Sequence, residues 1–281
     1  MKAARDKFWM FGVRAHQDDR YLGYCHRGHF SAGAARLVPG EAVPESRITP
    51  AEAALMLDIP NMLMINCEGI PAPFSHDARG YAESFITMDK VMWSVVGSGA
   101  YRAGNEDAFV CALAEQYPNV VGAFMDDLFV ISRSPDEAEA LLKEIRAGLS
   151  KACRPLELYT VMYTHEVDPA DPGLMEYIDG ISLWTWESKN LVHLEENFEN
   201  FEKKFPKHKK LLGIYMFDFT TGKAVPNELM EHQCELGLRW LKEGRIDGMI
   251  FEANSLMGFG LPSELWLRDW IKKVKYTEVP D

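Results

Sequence analysis

The sequence has 281 residues, of which 47% are hydrophobic and 26% charged, fractions that are typical of a soluble globular protein. Its 42 acidic and 30 basic side chains give a net charge of −12, and this charge opposes binding to the phosphate backbone of nucleic acids. No segment approaches the roughly 18 uninterrupted apolar residues of a membrane span, so we expect neither a nucleic acid nor a membrane as a partner.

Eight apolar, β-rich runs alternate with stretches of helical periodicity along the chain. The predicted strands are Phe8–Ala15, Met62–Cys67, Val91–Val96, Val120–Met125, Leu156–Tyr163, Ile181–Trp186, Leu211–Phe217 and Gly248–Phe251. Such alternation is typical of a parallel sheet with crossover helices. Eight units predict an α/β fold, a single (β/α)₈ TIM barrel over residues 1–281 with an elaborated loop after the first strand. A doubly wound open sheet is the alternative, but the first unit lacks the Gly-x-Gly-x-x-Gly turn of dinucleotide-binding folds.

Two helix starts carry explicit capping signals. Thr49-Pro50-Ala51-Glu52 and Ser134-Pro135-Asp136-Glu137 each place a hydroxyl at the N-cap, a proline at N1 and a glutamate at N3. Apolar residues three or four positions apart predict further helical segments. These segments are Glu137–Leu149, Leu191–Phe205, Glu228–Leu241 and Ser263–Val274.

The cysteines are scattered and odd in number. They are Cys25, Cys67, Cys111, Cys153 and Cys234. Without a Cys-x-x-Cys pair, they indicate neither a zinc site nor a disulfide framework. We expect free thiols at all five positions, a reducing compartment and, since no secretory leader is recognisable, a cytoplasmic location.

The fourth predicted strand ends in two acids, Asp126 and Asp127, with no basic residue next to them. Active sites of TIM barrels lie at the C-terminal ends of the strands. Alternation along a strand sends neighbouring side chains to opposite faces, so we expect only one of the two to point at the barrel axis. The alternative is structural, with one carboxylate capping the next turn and the other solvated.

A glycosidase needs a second carboxyl group across the scissile bond. Acids follow other strands, and Glu187, Asp218 and Glu252 are the candidates for this catalytic role. Each of them could instead be a structural hydrogen-bond acceptor that pairs with an arginine or a backbone amide.

Aromatic residues accompany these acids. Trp184 and Trp186 alternate along one strand, so both indoles should project to the same side and could stack on a sugar ring. Core packing is the alternative for both. The other candidate substrate-binding residues are His16, Glu68, Trp93, Tyr163, His165 and Tyr215.

Metal chemistry is the main competing hypothesis. A mixed oxygen and nitrogen site would draw on His16, Asp18, Asp19, Glu68, Asp127, His165 and Glu252. The sequence has no His-x-His on its first strand and no His-Glu-x-x-His helix, so we expect no metal and no cofactor. The turn Gly97-Ser98-Gly99 could form a backbone anion nest.

Four segments carry a family resemblance: Gly122–Asp127, Ser182–Trp186, Gly213–Asp218 and Asp247–Phe251. With them the chain resembles a family of mostly uncharacterised barrel proteins that are grouped with glycoside hydrolases. The resemblance implies the barrel fold and hydrolysis of a glycosidic bond in a small-molecule or oligosaccharide substrate. The alternatives are a divalent-metal sugar isomerase or lyase and a non-catalytic carbohydrate-binding barrel.

Two groups of better understood barrel glycosidases offer templates for the catalytic pair. One, resembling α-galactosidases, uses acids after the fourth and sixth strands, which implies Asp126 or Asp127 together with Glu187. The other uses acids after the fourth and seventh strands, which implies Asp218 as the partner. That second group usually has an Asn-Glu pair after its fourth strand, where this chain has Asp126-Asp127.

Overall fold

The computed structural model describes residues 1–14, 46, 48–67, 69–128 and 134–281. Its centre is a closed barrel of eight parallel strands. They are β1 (Phe8–Gly12), β2 (Asn61–Met64), β3 (Lys90–Val96), β4 (Val120–Met125), β5 (Glu157–Tyr163), β6 (Gly180–Trp184), β7 (Lys209–Tyr215) and β8 (Gly248–Glu252). Each strand pairs with its neighbours in chain order, and β8 pairs with β1. The predicted TIM barrel is confirmed.

Helices follow the strands around the outside of the barrel. They are α1 (Pro50–Leu57), α2 (His76–Ser84), α3 (Glu106–Gln116), α4 (Pro135–Leu149), α5 (Pro172–Met175), α6 (Leu194–Lys204), α7 (Asn227–Glu243) and α8 (Pro262–Val274). Both predicted capping boxes are present: Thr49 and Ser134 accept the N–H of the glutamate three residues on, and that carboxylate binds back to the cap. Among the helices that the structure describes, none is long and apolar enough to cross a membrane.

Several elements end earlier than their apolar pattern. β1 stops at Gly12 rather than Ala15, and β7 stops at Tyr215 rather than Phe217. Phe217–Asp218 instead forms a short antiparallel pair with Lys223–Ala224. The predicted elaborated loop after the first strand falls mainly on residues 15–45, which lie outside the described residues.

Strand alternation divides the side chains between the barrel interior and the helical layer. Trp9 and Phe11 of β1 point inward and line the two opposite ends of the interior. On β3, Lys90 and Met92 also line the N-terminal end. Trp93 therefore points outward, and it is 1% exposed and packs on Phe109 of α3 at 5.5 Å between ring centroids.

One glycine allows an aromatic ring to cross the interior. A Cβ atom on Gly213 of β7 would lie 1.9 Å from the Trp184 ring of the neighbouring strand. Trp184 thus lies flat over the Gly213 backbone, where its indole N–H donates to Ser182 Oγ at 2.9 Å. A side chain at position 213 would exclude this arrangement.

Candidate active site

A cavity of about 80 Å³ opens at the C-terminal end of the barrel. Three of its lining residues are acids, Asp126, Asp127 and Glu252. The aromatic lining residues are Phe11, Tyr163, Trp184, Trp186 and Tyr215. None of the described lining residues is a lysine or an arginine.

The end of β4 brings both Asp126 and Asp127 into this cavity. The Asp126 N–H donates to the Val96 carbonyl at 2.8 Å, which holds the chain beside β3 for one residue beyond the strand. Asp127 then adopts a left-handed backbone with φ of 52°. The sequence predicted that only one of these acids points at the barrel axis; both line the cavity, and both lie beyond the last strand residue, Met125, where strand alternation no longer applies.

The Asp127 carboxylate has a donor on each oxygen. The Gly99 N–H donates to Oδ2 at 2.9 Å, and the Tyr163 hydroxyl donates to Oδ1 at 3.0 Å. Gly99 belongs to the turn in which the sequence suggested an anion nest, and here its N–H binds a carboxylate of the protein itself. Both contacts fix the carboxylate, which remains partly accessible to solvent.

Asp126 and Glu252 are more deeply buried, with 6% and 4% of their surfaces exposed. Burial raises the pKa of both carboxyl groups well above the usual values, and the nearby charge of Asp127 raises both further. The charge of Glu252 raises the pKa of Asp126 further, whereas a hydrogen bond from the Asp127 N–H to Asp126 lowers it in part. The site therefore favours the protonated forms of Asp126 and Glu252.

Two tyrosine hydroxyls complete the polar wall. Burial raises the pKa of Tyr163 and Tyr215, and the charges of Asp127 and Glu252 act in the same direction. The two hydroxyls are hydrogen-bonded to each other. The Tyr215 hydroxyl donates to the Tyr163 hydroxyl, which in turn donates to Asp127 Oδ1.

The tryptophans form the aromatic side of the cavity. Trp184 is 1% exposed and lies 4.8 Å from the Tyr215 ring. Trp186 is partly exposed, meets the edge of Tyr163 at 5.7 Å and stacks on Phe219 at 5.8 Å. Both indoles reach the same cavity.

Two candidate acids lie outside the cavity lining. Glu187 forms an ion pair with Lys189 at 2.9 Å. Asp218 accepts hydrogen bonds from Ser188, Thr220 and Thr221. Burial alone would raise the pKa of Asp218, but these hydrogen bonds outweigh it and lower the pKa. Asp218 therefore acts as the organising acceptor of a turn.

The other candidate residues are divided between several places. Tyr163 and Tyr215 line the cavity, whereas Trp93 is in the outer core and does not reach it. His165 is exposed and stacks on Tyr163 at 5.7 Å without lining the cavity. The predictions for His16, Asp18, Asp19 and Glu68 lie outside the described residues. Within the described part of the chain, no three His, Cys, Asp or Glu side chains are grouped to hold a metal ion.

Cys67 and Phe11 line the cavity and were not among the candidates. Cys67 is disulfide-bonded, whereas Cys111, Cys153 and Cys234 are free. The prediction of five free thiols was wrong at Cys67, because an odd count excludes only complete pairing. Since disulfides persist in oxidising surroundings, the cysteines no longer support a reducing compartment.

No protein-family model and no curated protein matches the sequence. Solved structures do match its fold. A proposed α-L-fucosidase of Bacteroides thetaiotaomicron aligns with a TM-score of 0.58 at 11% identity, over 99% of this chain and 96% of that one. The GH99 endo-α-mannosidase of the same organism aligns with a TM-score of 0.58 at 9% identity, over 98% and 99% of the two chains.

A third similar structure bears the name of a different kind of hydrolase. A probable 2-pyrone-4,6-dicarboxylic acid hydrolase of Acinetobacter baumannii aligns with a TM-score of 0.50 at 11% identity, over 94% of this chain and 92% of that one. This chain shares its TIM-barrel fold with all three of these proteins. At such identities the likeness extends to the fold alone, so any reaction must be argued from the site.

Proposed function

We propose that this protein hydrolyses a glycosidic bond at the C-terminal end of its barrel. The observation that carries the proposal is the contrast among its clustered acids: Asp126 and Glu252 have raised pKa values, while Asp127 is held by two hydrogen-bond donors. A glycosidase requires one carboxyl group that donates a proton and one carboxylate that attacks or activates water.

Topology supports Glu252 and Asp127 as the working pair. Asp127 follows β4 and Glu252 ends β8, and these strands are four apart in an eight-stranded closed barrel. The two acids therefore approach the cavity from opposite walls, as acids that flank a scissile bond must. Asp126 shares a wall with Asp127 and is better suited to tuning the charge of the site.

In this assignment Glu252 protonates the leaving oxygen. Asp127 acts on the opposite face of the sugar, either as nucleophile or as base. Glu187 and Asp218 suit the role of nucleophile or base less well than Asp127. The Glu187 carboxylate binds Lys189, and the Asp218 carboxylate binds Ser188. Trp184 and Trp186 supply apolar faces for the C–H surface of a sugar ring.

The test uses aryl glycosides with both good and poor leaving groups. Asp127→Asn should lower kcat/KM on the order of 10²-fold or more for every substrate. Glu252→Gln should lose most activity on poor leaving groups and little on dinitrophenyl glycosides, because these leave without a proton. Glu187→Gln is the matched control and should retain the parent activity. Loss of the alkaline limb of the pH profile in Glu252→Gln would identify it as the acid.

The alternatives predict other results. If the parent cleaves no glycoside faster than the Asp127→Asn/Glu252→Gln double variant, the proposal is wrong. Sugar binding detected by tryptophan fluorescence without turnover would then indicate a carbohydrate-binding barrel. Sugar isomerisation or elimination that a chelator abolishes would indicate the metal-dependent alternative.

A further inference from the structure

A second and larger cavity, of about 580 Å³, lies at the N-terminal end of the barrel. The first residues of three strands line it: Lys90 of β3, Glu157 of β5 and Lys209 of β7. Inward-facing apolar surface from Trp9 and Leu211 forms its floor. Charged groups therefore surround an apolar base at the end opposite the candidate active site.

The acids of this cavity already have donors. Glu157 pairs with Lys209. Asp6 accepts the Ala3 N–H at 3.0 Å, and Asp247 accepts the Lys210 N–H at 2.8 Å. Asp281 pairs with the Met1 amino group at 3.2 Å.

Three of its cations have no acidic partner. Neither Lys7 nor Lys90 forms an ion pair or a side-chain hydrogen bond with any part of the chain that the structure describes. The Arg154 guanidinium donates to the backbone carbonyls of Ala114, Tyr117 and Val120 and to Cys153 Sγ, and to no carboxylate. The lining as a whole is balanced in charge, because it also contains Asp6, Glu157, Asp247 and Asp281, so the feature that favours an anion is the set of lysine ammonium groups that crowd around Lys90.

Lys90 experiences the crowding directly. Partial burial lowers its pKa, and repulsion from Lys2, Lys7 and Lys209 lowers it further, while Glu157 offsets only part of this effect. A bound anion would offset the repulsion between the ammonium groups and raise the pKa of Lys90.

Trp9 supplies an independent observation. It is only 5% exposed and lines the cavity. Within the described chain its indole N–H has no hydrogen-bond partner. Its nitrogen is not enclosed by protein as those of Trp93 and Trp240 are, so this donor is open to a molecule in the cavity.

We propose that the N-terminal cavity binds a small oxyanion, such as a phosphate group, between Lys7 and Lys90, with Trp9 as a further donor and Arg154 contributing its charge rather than its bound N–H groups. Lysine and arginine are common phosphate ligands because they combine charge with several N–H donors. The apolar floor suits an organic group attached to the anion. The site is separate from the proposed glycosidase chemistry and does not depend on it.

Inorganic phosphate is the probe, titrated into the full chain and followed by calorimetry and by ³¹P NMR. Saturable binding of one equivalent is expected. Lys7→Met and Lys90→Met should each weaken it about tenfold or more, since each removes a charged donor. Lys143→Met is the matched control: Lys143 is exposed and pairs with Glu139 on α4, and its loss changes the net charge equally.

Binding to Lys143→Met should match the parent. Circular dichroism of each variant establishes that the barrel is intact. The Nζ resonance of Lys90 should titrate at higher pH when phosphate is present. Absence of saturable binding, or equal affinities in Lys90→Met, Lys7→Met and Lys143→Met, would overturn the proposal. Neither result would affect glycoside hydrolysis at the other end of the barrel.

Discussion

The Tyr163 hydroxyl and the Asp127 carboxylate are joined by a hydrogen bond of 3.0 Å that connects the end of β5 to the end of β4. The Gly99 N–H binds the other carboxylate oxygen from the loop after β3. Three consecutive units of the barrel thus fix one side chain. Such support matters for catalysis, because a reacting carboxylate must keep its position while charge develops on the sugar.

Tyr163→Phe removes one of these two donors with little change in volume. A hydrogen bond to a charged group contributes about 1.5–3 kcal/mol, so kcat/KM should fall by about 10-fold to 10²-fold. Tyr177→Phe is the control, because Tyr177 also donates to a carboxylate, that of Glu139, but on the outer surface. Equal activity of Tyr163→Phe and Tyr177→Phe in steady-state assays would contradict a role for the Tyr163 hydroxyl.

The pKa shift of Glu252 predicts how stability depends on pH. Its pKa lies well above the ordinary 4.5 in the folded state, so the folded protein binds more protons than the unfolded chain above that value. Stability should therefore fall as pH rises through this window. Glu252→Gln removes the penalty, and its Tm should exceed that of the parent more at about pH 8 than at about pH 5.

Asp218→Asn should behave in the opposite way. Hydrogen bonds lower the pKa of Asp218 below the ordinary 3.8, so its contribution is present above that value and is lost as pH falls through the lowered pKa. The variant should be less stable than the parent at neutral pH and approach it in acid. Thermal melts of Glu252→Gln and Asp218→Asn at several pH values test whether their stabilities change with pH in these opposite directions. Parallel pH curves for Glu252→Gln and the parent would be inconsistent with a raised pKa.

The order of strands and helices was readable from the sequence because each element carries its own periodicity and caps. β4 ends at Met125, the last residue of the predicted strand Val120–Met125. The partner acid was harder to choose. β6 ends at Trp184 and β7 at Tyr215, so Glu187 and Asp218 lie three residues further on. Glu187 is in a bend, and Asp218 is in the short antiparallel pair with Lys223–Ala224.

Glu252 differs because it is the last residue of its strand. Side chains alternate along β8, so Glu252 points to the same side as Gly248 and Ile250, which is the barrel interior. The sequence contained this information. On β3 the same alternation places Met92 in the barrel interior and Trp93 on the outside. The disulfide at Cys67 had no comparable signal, because cysteine spacing does not reveal which side chains meet in the fold.

Cysteine chemistry offers a direct test of that disulfide. Alkylation of the unfolded, non-reduced protein should label Cys111, Cys153 and Cys234. The peptide with Cys67 should be labelled only after reduction, as peptide mapping by mass spectrometry would detect. Labelling of Cys67 without a reductant would show that the bond is absent. Reduction should also lower Tm, because a cross-link restricts the unfolded chain.

In the native protein the three free thiols should react at different rates. Cys153 is exposed, whereas Cys234 is buried and its pKa is raised well above the usual value by burial. Since the thiolate is the reactive form, Cys153 should react first and Cys234 only as the protein unfolds. Timed alkylation with mass spectrometry measures the order, and early labelling of Cys234 would mean that the face of α7 that carries it is not packed against the rest of the protein.

Gly213→Ala tests the packing that places Trp184 in the site. The added Cβ would meet the indole ring at 1.9 Å, and the ring is confined by Phe11 at 5.8 Å and by Tyr215 at 4.8 Å. Overpacking of this kind costs about 1–3 kcal/mol, so Tm should fall and the fluorescence of the displaced indole should change. Gly80→Ala is the matched control: a Cβ there meets nothing within 4 Å in helix α2, and alanine should stabilise that helix by up to about 1 kcal/mol. If both variants unfold at the same temperature, Trp184 does not lie over Gly213, and the aromatic wall of the cavity must be built differently.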